Sequence, residues 1–181
     1  MEILKTTLEG CLIIKPAVFK DERGLFCETF RQDRFSELTG ITTSFVQDNQ
    51  SQSSFGVLRG LHYQVDDYAQ AKLVRVIEGR VLDVAVDLRR DSATFGQHFS
   101  IQLDGESMTQ LYVPKGFAHG FVTLSERSIF AYKCDNYYHK ESEQGIRFDD
   151  ATLNIDWHLS HDKLLVSDKD QSLPAFKNAK Y

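Results

Sequence analysis

KLVRVIEGRVLDVAVDL, residues 72–88, is the stretch whose patterning decides the fold class. Two β-branched runs flank Glu78-Gly79, and glycine readily takes the positive φ that a tight turn requires. In the second run Leu82, Val84, Val86 and Leu88 share one parity, while Asp83 and Asp87 share the other with Val81 and Ala85. This period-2 alternation predicts a strand with one strongly apolar face.

Working outward, strands are predicted at residues 11–14 (CLII), 25–30 (LFCETF), 44–47, 98–103 (HFSIQL), 110–113 (QLYV), 120–124 (GFVTL) and 128–133 (SIFAYK). Gly, Asp and Ser clusters punctuate them at the spacing of sandwiches and barrels. One short helix is predicted over 32–39, with Phe35 and Leu38 three apart and Gly40 as its C-terminal stop. The more polar tail, from about residue 160 to 181, reads as coil. Residues 1–181 therefore read as one all-β domain, a double-sheet jelly roll with short peripheral helices.

The chain has 181 residues, enough for one domain with its own core. Its apolar content is 41%, its charged content 26% and its formal net charge −5, a globular composition that excludes general nucleic-acid binding. A few local cations can still hold a small anion on such a protein. Cys11, Cys27 and Cys134 are odd in number and widely spaced, so neither a disulfide framework nor a zinc knuckle is indicated. The opening MEILKTTLEGCLIIKP is too interrupted for a signal peptide, and no stretch is apolar enough to span a membrane. A cytoplasmic location is expected.

FGVLRGLHYQ, residues 55–64, places a guanidinium, an imidazole and an amide in an otherwise apolar, strand-like segment. Jelly rolls often build metal sites from histidines on neighbouring strands, and VPKGFAHGF (113–121) offers His119. Two residues after His62, however, stands Gln64, a poor ligand for zinc or iron, and Lys72 would repel a cation. No metal is expected. His62 is then either a hydrogen-bonded histidine under a loop or a general base. Lys72, Arg59 and Arg23 are either solvated charges or a set that holds phosphate and steadies an oxyanion. Tyr132, in IFAYKCDNYY, is either a packing tyrosine or a proton donor.

Longer motifs narrow these choices. Val46-Gln47-Asp48-Asn49, Ser53-Ser54 and the run Gly56 to Gln64 strongly resemble the dTDP-4-dehydrorhamnose 3,5-epimerase family. So do QAKLVRVIEGRVLDVAVDLRRDSATFG (70–96), QLYVPKGFAHGF (110–121), Tyr132-Lys133, GIRFDD (145–150) and the element Ser167-Asp168-Lys169-Asp170. Departures from the family pattern include Gln50, Gln52, Tyr68, Ala131, Asn136, Ala151 and His158.

The resemblance implies a metal-free, cupin-like jelly roll that works as a homodimer, with the strand from Arg23 to Glu28 exchanged between subunits. It implies His62 as the proton acceptor, Asp170 as the carboxylate that orients it, Tyr132 as the proton donor on the opposite face, and Lys72 beside the enolate oxygen. Arg23, Phe26, Glu28, Gln47, Asp48, Asn49, Arg59, His119, Tyr138, Glu143 and Lys169 match positions that bind the dTDP-linked 4-keto-6-deoxyhexose. The implied activity is epimerisation at C3 and C5 of that sugar, without a redox cofactor. A C3-only epimerase, a ketoisomerase and a non-catalytic sugar-nucleotide binder are the alternatives.

Overall fold

The computed structural model describes residues 1–181 and contains two large sheets. The first has the order β1 (Glu2–Lys5), β2 (Leu12–Lys15), β10 (Gln110–Val113), β7 (Lys72–Glu78), β12 (Arg127–Cys134), β5 (Gln47–Ser54). The second has the order β13 (Glu143–Gly145), β6 (Val57–Gln64), β11 (Phe117–Thr123), β8 (Arg80–Asp87), β9 (His98–Asp104). Pairing is antiparallel within both, and β14 (Leu165–Val166) adds to β6 in parallel. This is the double-sheet jelly roll expected from the alternation. A separate hairpin of β3 (Val18–Asp21) and β4 (Gly24–Cys27) pairs with neither sheet.

The turn at Glu78-Gly79 does not close a hairpin. β7 pairs with β10 and β12, β8 pairs with β9 and β11, and the chain passes between sheets at this corner. Gly79 has φ +80°, and a Cβ there would lie 2.0 Å from the Arg127 carbonyl oxygen. Both the dihedral and the close approach require glycine.

The corner fixes which way β8 faces. Leu82, Val84, Val86 and Leu88 point away from the sandwich, into a cluster with Ile146, Phe148, Leu153, Trp157 and Phe176. The C-terminal segment is thus a cover over the second sheet. It also carries β14 and α2 (Asp168–Gln171), where coil was expected. Val81 and Ala85 face the other way, into the space between the sheets, with Val74, Val76, Leu111, Phe117, Phe121 and Phe130. Burial of such side chains stabilises the fold by about 1.5–3 kcal/mol each.

The two aspartates of β8 go inward as well, both fully buried. Asp87 is held by Arg89, Ser92 and Thr94. Burial alone would raise its carboxyl, but these hydrogen bonds bring it down to about 2.

Helix α1 (Gln32–Thr39) has the predicted bounds and ends at Gly40, φ +73°, whose N–H bonds the Ser36 carbonyl. It buries Phe35 with Ile14, Leu73 and Tyr112 on the outer face of the first sheet, while Leu38 keeps 37% of its surface exposed. Two predicted strands move. The one at 25–30 stops at Cys27, and the one at 44–47 begins only at Gln47 and runs to Ser54.

Candidate active site

Arg59 and His62 are three apart, so a regular strand would send them to opposite faces. Against β11, His62 pairs with His119 and Arg59 with Phe121, so three steps on β6 span two on its neighbour. The extra residue is a β-bulge. Gly60, φ +136°, makes it possible, since a Cβ there would lie 2.6 Å from the Gly120 Cα. Leu58, Leu61 and Tyr63 consequently stay in the outer cluster while Arg59 and His62 turn into the same hollow.

Two adjoining hollows, of about 330 and 300 Å³, share His62, Lys72 and Tyr132. They lie between the two sheets, lined by residues of the edge strand β5 and of β12 from the first and of β6 from the second. His62 comes from β6 in one sheet, and Lys72 and Tyr132 come from β7 and β12 in the other.

His62 Nε2 lies 2.8 Å from Asp170 Oδ1, and the Gly60 N–H donates to Asp170 Oδ2 at 3.2 Å. Asp170 is 4% exposed and reaches β6 from α2, whose cap Ser167 accepts the Asp170 N–H at 3.1 Å. Burial pushes the Asp170 carboxyl up, but the hydrogen bond and charge of His62, the Gly60 N–H and Lys169 outweigh it, and the group sits below the usual range. An ionised Asp170 accepts from Nε2–H, which leaves Nδ1 with its lone pair and without a partner in the chain.

Lys72 is half-buried, with Nζ 3.5 Å from the His62 carbonyl oxygen and 5.9 Å from the centre of the Tyr132 ring. Burial lowers its ammonium below the usual lysine range, only partly offset by Cys134, Asp83 and Glu143. Burial likewise raises the Tyr132 phenol, with Cys134 and Glu143 adding to the rise and Arg59 opposing it. The phenol is therefore protonated at neutral pH, and its oxygen has no partner in the chain.

His119, which lines the same hollow, forms a second, buried pair with Asp83 behind it, at 2.9 and 3.0 Å. Arg59 stands at its rim, its Nε donating to Ser53 Oγ at 3.2 Å.

The other hollow carries the remaining polar wall. Gln47 Nε2 donates to Asn49 Oδ1 at 3.2 Å, and Gln47 Oε1 accepts the Tyr138 N–H at 3.0 Å. Glu143 accepts from the Tyr138 hydroxyl at 3.0 Å and from Lys169 Nζ at 2.7 Å. Partial burial raises the Glu143 carboxyl, but Lys169, Tyr138 and His62 bring it below its ordinary range. Tyr138 is 54% exposed, an aromatic wall at the mouth.

Four expected binding residues are not brought here within one chain. Asp48 alternates with Gln47 and Asn49, faces outward and pairs with Lys133 at 2.9 Å. Arg23, Phe26 and Glu28 are exposed in and beside the β3–β4 hairpin, where Arg23 bonds Asp21. Conversely, Asp83 holds His119 from behind the wall and was visible only as an acid on the less apolar face of β8. Ser167, which caps the turn that presents Asp170, carried no signal beyond the motif itself.

The family model described as dTDP-4-dehydrorhamnose 3,5-epimerase matches residues 5–178. A curated dTDP-4-dehydrorhamnose 3,5-epimerase from Shigella flexneri is 49% identical over 181 residues, covering 100% of this chain and 99% of the relative. The crystal structure of dTDP-4-dehydrorhamnose 3,5-epimerase from Elizabethkingia anophelis NUHP1 is 55% identical with a TM-score of 0.96, covering 100% of this chain and 99% of that one. A dTDP-6-deoxy-D-glucose-3,5-epimerase from Legionella pneumophila Philadelphia 1, in complex with dTDP-4-keto-L-rhamnose, is 49% identical with a TM-score of 0.94. That match covers 98% of this chain and 93% of the Legionella chain. No helix of the structure is long and apolar enough to cross a membrane. With every strand but β1 and every motif of the hollow inside the span of the family model, the chain belongs to the dTDP-4-dehydrorhamnose 3,5-epimerase family.

Proposed function

We propose that the chain is an isomerase that inverts C3 and C5 of dTDP-4-dehydro-6-deoxy-D-glucose, giving dTDP-4-dehydro-β-L-rhamnose. The observation that carries this reading is His62 on one sheet, paired with Asp170 from α2, and Tyr132 on the sheet opposite, around one hollow. Both carbons lie next to the C4 ketone, so removing either proton gives an enolate. His62 Nδ1 takes the proton, and Asp170 holds the imidazolium that forms. Lys72 donates to the developing O4 charge, and its loosened proton suits that task. Tyr132, on the far side of the ring, returns a proton to the opposite face and thereby inverts the centre. Positioned acid–base groups of this kind each contribute about 10²–10⁴-fold.

The nucleotide lies toward Tyr138, Glu143, Lys169, Gln47 and Asn49, with Arg59 at the diphosphate and His119 against the sugar. Arg23, Phe26 and Glu28 act in the site of a second subunit, so the working unit is a homodimer with exchanged strands. Support comes from the hairpin that carries them, which pairs with neither sheet and leaves Phe19 63% and Phe26 68% exposed. A sugar-nucleotide binder has no need of both a base with its orienting carboxylate and an unpartnered acid opposite.

His62→Ala tests the assignment. It should abolish exchange of the sugar protons with solvent while dTDP still binds. Exchange of the C3 proton at the parent rate would remove His62 from the base role.

A further inference from the structure

Gln64 stands two residues beyond His62, on the same parity of β6, and lines the second hollow, but its amide hydrogen bonds all go to the backbone of neighbouring loops. It is 6% exposed. Nε2 donates to the Tyr68 carbonyl at 2.7 Å and to the Tyr137 carbonyl at 3.2 Å, and Oε1 accepts the His139 N–H at 2.7 Å. Both amide hydrogens are therefore committed. The Tyr137 carbonyl and the His139 N–H are the two peptide groups that flank Tyr138. Gln64 grips them as a neighbouring strand would.

The surroundings stiffen the same grip. The His139 ring stacks on Tyr68 with centres 3.7 Å apart and planes 9° from parallel. Asn136 Nδ2 donates to the Asp67 carbonyl at 2.9 Å, and Gln70 Nε2 donates to the Asn136 carbonyl at 2.7 Å. Three amide side chains thus tie the 66–70 loop to the 136–139 loop. Tyr138 itself has over half its area exposed, so apart from the contact of its hydroxyl with Glu143 its ring is aimed by its backbone.

We propose that Gln64 is a positioning residue for substrate binding: it sets the aromatic wall formed by Tyr138 by fixing the peptide groups on either side of it. This rests on the functional reading above, in which Tyr138 faces the nucleotide. No side-chain hydrogen bond joins Gln64 to His62, Lys72 or Tyr132, so its loss should weaken nucleotide capture and spare the proton transfers.

Gln64→Glu keeps the shape and the acceptor for His139 but replaces both donors with oxygen facing two carbonyls. It should raise the Kd for dTDP, measured by titration calorimetry, about tenfold, the penalty of unpaired buried acceptors. KM for the sugar nucleotide should rise by a similar factor, with kcat within about threefold of the parent because the loss is in binding common to ground and transition states. In a Tyr138→Ala background the same change should cost less than about twofold, because coupled sites are non-additive. Gln64→Leu should repeat the pattern while melting cooperatively. An unchanged Kd, a fall in kcat at constant KM, or the same loss with and without the Tyr138 ring would overturn the proposal. So would loss of cooperative melting in both variants, which would make Gln64 a requirement of the fold. Failure of the parent to bind dTDP would instead sink the functional reading.

Discussion

Asp170→Asn isolates what the carboxylate does for His62. Oδ2 of Asp170 already accepts the Gly60 N–H, and a backbone donor at 3.2 Å will select the oxygen of an asparagine for that place. The amide nitrogen is then aimed at His62 Nε2, across the present 2.8 Å contact. Two donors cannot face each other, so Nε2 must give up its proton and Nδ1 must take one. The base nitrogen is blocked although no atom has moved. By analogy with carboxylate-to-amide changes in other catalytic pairs, proton abstraction should fall about 10³–10⁴-fold, a barrier increase of about 4–5.5 kcal/mol. Stability should fall by only about 1 kcal/mol, because both hydrogen bonds survive in altered form. The assay is deuterium uptake at C3 in D₂O under single-turnover conditions, with dTDP affinity measured alongside. Uptake within tenfold of the parent, at full dTDP affinity, would refute the tautomer argument and leave Asp170 a structural acid.

Three further outcomes follow from the same structure. Tyr132→Phe should lower net inversion, followed by product NMR, about 10²-fold or more while C3 exchange falls much less; equal losses in both would count against the donor role. Gly60→Ala forces a Cβ to 2.6 Å from the Gly120 Cα at a φ of +136°, and should cost about 3 kcal/mol in urea unfolding together with activity. A variant that melts and turns over like the parent would show that the bulge tolerates a side chain. Asp87 has its carboxyl lowered from 3.8 to about 2, a difference worth about 2 kcal/mol. A depressed carboxyl contributes stability above its unfolded pKa and loses it as pH falls through the folded value, so the parent should lose this increment between about pH 4 and pH 2. Asp87→Asn should lose at least as much at pH 7 and show a flatter acid limb; an unchanged limb would mean other groups dominate acid unfolding.

What could be read in the sequence was set by local periodicity. The alternation of 82–88, the helix at 32–39 with its glycine stop, and the strands at 98–103 and 110–113 are local signals, and the structure has all of them. The corner at Gly79 was not readable, because a positive φ serves a hairpin and a sheet-to-sheet crossing equally. Strand β5, QDNQSQSS, was largely missed, because it edges the first sheet at the open mouth and has little apolar surface to bury. The covered face of β8 was legible but its cover was not, since Ile146, Phe148, Leu153, Trp157 and Phe176 are scattered without a period.

At the site, His62 and Lys72 stood out as residue types. The juxtaposition of Arg59 with His62 depends on a bulge at Gly60 that no spacing rule shows. Asp170 is 108 residues from His62, so its role came only from the family resemblance. Asp48 sits between two wall residues in sequence and on the other side of the sheet in space.

In the proposed mechanism one base and one opposed acid work on both carbons next to the ketone. Incubating the protein in D₂O with dTDP-4-dehydro-6-deoxy-D-glucose, and following C3 and C5 by proton NMR and mass, tests it directly. Deuterium at both carbons with the L-configured product is the expected result. Label at C3 alone would restrict the enzyme to one centre, and no label at either carbon would contradict the mechanism.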